Sequence, residues 1–218
     1  MDIEHKKVSE SKITVNILIR WAGVMAIIAG ILYVVIQFIH PIDHISSVNT
    51  DFWVVVACLT MVMSLFSLIG ITGVYIRQAK EAGWLGLVGF LLFNLFWLIS
   101  IVFSFIEAFV LPLLTSDAAK LVEGMVGLFG GTVSEVNLGI FPILAPIAGV
   151  LYMLGGLLLG IATFRAGVLP RLAAILLAFA AVVTLASAII PHPIDRALAI
   201  PMGLALIWLG YFLWSERR

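Results

Sequence analysis

Long apolar blocks alternate with short polar words along this chain. Six such blocks run roughly over Val15–Ile39, Phe52–Ile76, Trp84–Leu111, Ile140–Phe164, Leu169–Ile190 and Ala197–Trp214. Each approaches or exceeds the ~20 residues that cross a hydrocarbon layer about 30 Å thick. Lipid cannot satisfy an open strand edge, so continuous runs of this kind are helices. The pattern predicts an all-α polytopic membrane protein. Residues 15–218 would form a single six-helix transmembrane domain, preceded by a polar segment over 1–14. That segment, which begins MDIEHKKVSESK, leads into a full-length apolar block with no small-residue cleavage site, so it reads as preceding an uncleaved first span.

One connection is long, 113–138. Within it TSDAAKLVEGMVGLFGG has the spacing of a short amphipathic helix. Leu121, Met125 and Leu128 share a face, Thr115 to Asp117 offer a cap, and Gly130-Gly131 offer an end. It is too short and too polar to span, and is expected on the membrane surface or over the mouth of the bundle. Pro142, Pro146 and Pro201 fall within spans and are expected to kink them.

Charge orients the pattern. Lys6, Lys7, Lys12, Arg20, Arg77, Lys80, Arg165, Arg171, Arg217 and Arg218 fall on one side if six spans alternate, and only Lys120 and Arg196 fall on the other. The positive-inside rule then puts both termini in the cytoplasm. Asp43, Asp51, Asp117, Glu123, Glu135 and Asp195 gather on the opposite, outer side. Trp21, Trp84, Tyr211 and Trp214 near inner ends, and Trp53 near an outer end, fit interfacial aromatic belts.

Composition agrees with this class. Hydrophobic residues make up 63% and charged residues 11%, against roughly 45–50% and about 25% in soluble domains. A net charge of zero implies no bulk attraction to nucleic acid. The single cysteine, Cys58, excludes an internal disulfide and thiolate metal clusters. Small residues in spans one (Gly23, Gly30), four (Gly149, Gly156, Gly160) and six (Ala199, Gly203) suit close helix approach. The expectation is packing within the bundle, with a homo-oligomer through such faces as the alternative. The lipid bilayer is the principal partner.

The word HPID occurs twice, over 40–43 and 192–195, each time at the outer end of an outward-running span. A faint parallel repeat, spans one–two matching five–six, would account for it. As helix punctuation, proline ends one helix or begins the next, and Asp195 or Asp51 caps the succeeding helix. As chemistry, His40, Asp43 and His44 from one copy and His192 and Asp195 from the other would share an outer-face site. Span three adds Glu107, with Ser100 and Ser104 within a ~60° arc of it at 100° per residue. A carboxylate at membrane depth is costly and defaults to a functional hypothesis. Thr60, Ser64 and Ser67 in span two are read as interhelical hydrogen-bonding groups. Asn94 lies deeper in span three, off the polar arc.

The stretch GLLLGIATFRAGVLPRLAAILLAF resembles a pattern in uncharacterised bacterial multi-pass membrane proteins: a glycine-rich span, a basic turn and an alanine-rich span. Arg165, Leu169, Pro170 and Arg171 carry the likeness. The resemblance implies a bacterial cytoplasmic-membrane protein and transfers no activity.

Three functions fit these residues. The first is a binding or transport protein with an outward-facing His/Asp/Glu site for a metal ion, a proton-coupled solute or a small ligand. There Glu107 would carry the proton or cation, with Ser104, Ser100, Asp43 and Asp195 around it. His40, His44 and His192 would serve as ligands to a divalent metal or as pH-sensitive gates. A bis-histidine haem site on His40 and His192 is a narrower version. The second is a membrane-embedded metal hydrolase of a lipid or peptide, which needs three converging ligands and a metal-bound water. The third is a non-catalytic assembly, immunity or signalling partner, in which the histidines are solvated. No catalytic signature such as HEXXH is present.

Overall fold

The computed structural model of the chain describes residues 14–128, 133–184, 186 and 194–216, without the side chains of 194 and 195. Among these residues the regular structure is all helix, with no strand. The long helices are α1 (Val15–Ile39), α3 (Asp51–Arg77), α4 (Ala79–Phe109), α7 (Phe141–Ala166), α8 (Arg171–Val183) and α9 (Ile200–Ser215). Short helices α2 (Ile45–Val48), α5 (Leu111–Leu114) and α6 (Ala119–Val126) connect them at one end, and a 3₁₀ helix (Ile194–Ala199) leads into α9. Five stretches, α1, α3, α4, α7 and Arg196–Ser215, are long and apolar enough to cross a membrane. The expected fifth span is seen as the 13-residue apolar helix α8, and its continuation to Ile190 lies outside the described residues except for 184 and 186.

Each long helix packs on its neighbours in the chain, and α9 closes back on α1, so the order around the bundle is α1-α3-α4-α7-α8-α9. Short connections alternate the helix directions. Arg20, Arg77, Arg165 and Arg171 therefore gather at one end, the basic end, and Asp43, Asp51 and Glu107 at the other, the acidic end. The centre is filled by Phe93, Trp97, Leu177, Met202 and Leu206, all 1% exposed or less. The outward faces are apolar too, with Ile31, Val55, Leu95, Val102 and Ile175 about half exposed. An exterior of this kind is consistent with an integral membrane protein.

Hydrophobic effect alone does not draw helices together in lipid, so close packing must come from shape. The α1–α9 seam shows how. A Cβ added to Gly23 would stand 2.7 Å from the Gly210 carbonyl oxygen, and one on Gly210 would stand 2.6 Å from the Gly23 oxygen. Gly30 and Gly203 repeat this reciprocal contact seven residues away on each helix. On the other flank of α1, Gly70 and Gly73 of α3 meet Ala26 and Ala22. Gly155 lies against the backbone of Phe93, while Gly156 and Gly160 receive Ala181 and Ala178 of α8. These faces are thus occupied within the chain. Gly149 alone among the expected interface glycines meets nothing within 4 Å.

Side-chain bonds fasten the basic end. Arg77 forms two 2.6 Å bonds with the Glu216 carboxylate, joining α3 to the end of α9. Arg20 donates to the Trp214 carbonyl at 3.2 Å, and buried Gln78 donates to Thr163 at 2.6 Å. Gly83, with φ +57° and ψ −157°, breaks α4 just before Trp84, where a residue with a Cβ would be strained.

Several local expectations are corrected. Trp53 is 3% exposed and belongs to the interior, not to a belt; Trp21 and Trp84, at 60% and 82%, do face outward. The cap of α3 is Thr50, whose hydroxyl accepts from the Trp53 amide, while Asp51 sits inside the first turn near the positive pole of the helix. Asp195 lies in the 3₁₀ helix by its backbone, and the residue capping α9 is Ala199. The loop helix starts after Ala118 without a side-chain cap and ends at Gly127; of the expected terminal glycines, Gly130 and Gly131, both lie outside the described residues. Pro142 and Pro201 occupy first turns, where a missing N–H removes no helical bond; only Pro146 is interior.

Candidate functional site

The acidic end is roofed. Val48 of α2, Leu111 of α5, Val122, Met125 and Val126 of α6, and Leu138 form an apolar cluster with Trp53 of α3 and Ile106 of α4. The loop helix expected near the bundle mouth thus docks over the ends of α3 and α4. Its inner face is Val122, Met125 and Val126; of the expected stripe Met125 is on it, while Leu121 and Leu128 are only partly buried at its edge. Its outer face carries Lys120, which pairs with Glu135 at 3.0 Å.

Glu107 sits beneath this roof in the last turn of α4 and is partly buried. Its backbone carbonyl accepts a 3.0 Å bond from the Trp53 indole N–H. Among the described residues, no hydrogen bond or ion pair reaches its carboxylate, and its electrostatic neighbour is a second acid, Asp43. The negative pole of α4 lies here as well, so the helix itself supplies no compensation. An acid placed like this invites a cation or a proton.

Asp43 is held by two basic groups. Its Oδ1 is 3.7 Å from His40 Nδ1 and its Oδ2 is 3.3 Å from an Arg196 terminal nitrogen. His40 is the C-cap of α1, and its Nδ1 lies 2.8 Å from the Pro41 carbonyl oxygen, the geometry of an Nδ1–H donor. The His40 ring meets the Trp53 ring edge-on, with centroids 6.1 Å apart. Trp53 therefore touches both the imidazole and the backbone of Glu107. His40, Asp43, Trp53 and Glu107, from α1, the α1–α2 turn, α3 and α4, form one cluster.

The two copies of HPID come to the same corner. Arg196, immediately after the second copy, reaches Asp43 of the first. Arg196 is one of only two basic residues on the acidic side of the sequence pattern, and that exception is the available signal for an ion-pair role. His192 lies outside the described residues, and with it both the bis-histidine haem arrangement and the second half of the expected metal set; the Asp195 side chain is likewise not described. His44 points elsewhere. It caps α2, accepting from the Ser46 amide at 3.2 Å and meeting the Ser46 hydroxyl at 2.8 Å. Among the described residues, no three His, Cys, Asp or Glu side chains converge on a point that could hold a metal.

The hydroxyl stripe below Glu107 is partly structural. Ser100 meets Ser64 of α3 at 2.8 Å, and Ser64 also donates to the Thr60 carbonyl. Ser104 is 3% exposed on the same face as Ser100. Asn94 donates to Thr72 at 3.2 Å, again joining α3 to α4. Beneath Ser100 and Ser104 an aromatic layer crosses the bundle, with the Asn94–Thr72 bond on its far side. The Tyr33 and Tyr152 hydroxyls are 3.5 Å apart, and Trp97 packs edge-on against both Tyr33 and Phe96. Trp97 lies ten residues below Glu107 in α4, about 15 Å along the helix.

No protein-family model matches this chain, nor does any curated protein or solved structure.

Proposed function

We propose that this chain is a six-span integral membrane protein with both termini in the cytoplasm, and that its acidic end is an outward-facing site that binds a cation or exchanges a proton at Glu107. The observation that carries the reading is the Glu107 carboxylate itself: partly buried, unpaired among the described residues, next to Asp43 and under an apolar roof. Asp43 shares the positive ligand. His40 and Arg196 hold Asp43 in position, and a proton gained by His40 would tighten that hold. The roof helix α6 controls access, and the Tyr33–Trp97–Tyr152 floor separates the site from the basic end. Binding needs only the roof to move; transport also needs the floor to open.

Labelling with dicyclohexylcarbodiimide, which enters apolar surroundings and reacts with protonated carboxyls, tests the site. Purified protein in liposomes should be modified at Glu107, located by peptide mass spectrometry. Raising the pH or adding a small organic cation or Mn2+ should slow the modification, and E107Q should lose it. Absence of label at Glu107, or labelling indifferent to both pH and cations, would overturn the reading.

A further inference from the structure

At the basic end, on the outside of the bundle, α7 and α8 diverge around an apolar groove of about 480 Å³. Its floor is made of small residues, Gly160, Ala174 and Ala178, and its walls include Ile161, Phe164 and Phe179. Gly160 holds the two helices close at the floor, since its position leaves no room for a Cβ beside Ala178. The groove follows α7 from Leu157 to Arg165. That rise is about 12 Å, close to the roughly 15 Å that one leaflet contributes to a ~30 Å hydrocarbon layer.

The groove ends in positive charge. Arg165 lines its mouth. The Arg171 guanidinium lies 5.5 Å from the centre of the Phe164 ring, which is itself a wall residue. The other two arginines described at this end are committed, Arg77 to Glu216 and Arg20 to the Trp214 carbonyl. Arg165 and Arg171 have no acidic partner among the described residues. A channel of one leaflet's depth, lined mainly by carbon, with Arg165 in its lining and the Arg171 guanidinium beside its Phe164 wall, has the complementarity of a phosphate ester bearing an acyl chain.

We propose that the α7–α8 groove is a binding site for one anionic phospholipid, with an acyl chain along Gly160 and Ala178 and its phosphate between Arg165 and Arg171. The site rests on the bundle being embedded in a membrane, not on the Glu107 chemistry.

Native mass spectrometry of the full chain in detergent, with phosphatidylglycerol or phosphatidylcholine added, reads the site directly. The wild type should retain one phosphatidylglycerol in preference to phosphatidylcholine. R165Q/R171Q should weaken that retention roughly twenty-five-fold, about fivefold for each arginine. Ile161→Trp, a change at an exposed wall, should block it while leaving the melting temperature unchanged; Lys80→Gln should do neither. Equal retention of the two lipids, or unchanged retention in R165Q/R171Q, would sink the proposal. Binding of soluble glycerol phosphate as tight as that of the lipid would show a phosphate site without an acyl-chain site, and would overturn the lipid assignment. Carbodiimide labelling of Glu107 in R165Q/R171Q should match the wild type, which keeps a failure here distinct from a failure of the carboxylate site.

Discussion

The two ends of the bundle treat a carboxylate in opposite ways. At the basic end, Glu216 accepts from two nitrogens of Arg77, Nε and Nη2, at 2.6 Å each, and the pair locks α9 against α3. At the acidic end, Glu107 has no such partner among the described residues and faces Asp43 instead. Arg196, the arginine described at this end, serves Asp43. Both acids terminate long apolar helices, so chain position does not explain the difference. The Glu216 end is satisfied electrostatically and acts as a clasp. The Glu107 end is left unsatisfied among the described residues next to an apolar roof, an arrangement that stability alone would not select.

One bundle carries both ends, closed by the α1–α9 seam, and the largest expected effect comes from breaking that seam. Gly30→Leu puts a side chain where the Gly203 carbonyl and the Ile207 backbone already stand. Overpacking commonly costs about 1–3 kcal/mol and more where only backbone can yield, so this variant should melt far below wild type or fail to be recovered. Gly149→Leu, made at an open position of α7, should melt with wild type. Equal melting of the two variants would mean that the α1–α9 seam is not tight, and the two ends could not be compared as parts of one frame.

A second pair of variants addresses the ends themselves, and the expected signs are opposite. Arg77→Leu strips Glu216 of its partner at a site where both side chains are only 16% and 20% exposed. The loss should be about 1–2 kcal/mol, at the upper side for a partly exposed pair. Glu107→Leu removes an acid without removing a bond among the described residues, and should stabilise by about 1 kcal/mol while abolishing carbodiimide labelling. Thermal unfolding of both variants in the same detergent reads the two signs. Destabilisation by Glu107→Leu as large as that by Arg77→Leu would make Glu107 a structural acid.

Much of the scaffold was legible in the sequence because the bilayer imposes length. The Val15–Ile39 block coincides with α1, and the other four expected spans that appear as membrane-length stretches differ mainly at their ends. Packing was legible at Gly23 and Gly30 as a need for close approach, but not which helix each would meet, since Gly203 and Gly210 lie about 180 positions away along the chain. The break at Gly83 was not legible, because a lone glycine between Ala82 and Trp84 has the same composition whether or not its φ is positive. At the acidic end Glu107 stands out as an acid in an apolar run, whereas Trp53 reads as interfacial and is not. An indole near a span end suits either a headgroup belt or a buried bond, and only the neighbouring Glu107 carbonyl decides between them. The role of His44 was hidden for a related reason. Its repeat-like context suggests a ligand, while the local sequence HISS contains what a capping turn needs.

His44 supplies the smallest test, and it separates the two histidines of the first HPID segment. Both belong to the same short stretch, yet His40 packs on Trp53 and faces Asp43 while His44 only holds the start of α2. Replacing a side-chain cap by alanine costs about 0.5–1 kcal/mol, and α2 has only one turn to lose. His44→Ala should therefore lower the melting temperature slightly and leave both Glu107 labelling and its cation dependence as in wild type. His40→Ala should change the pH dependence of that labelling, because it removes the titratable partner of Asp43. Should His44→Ala also shift the pH dependence, the imidazole that caps α2 would belong to the site after all. The functional cluster would then extend into the α2 turn instead of ending at Asp43.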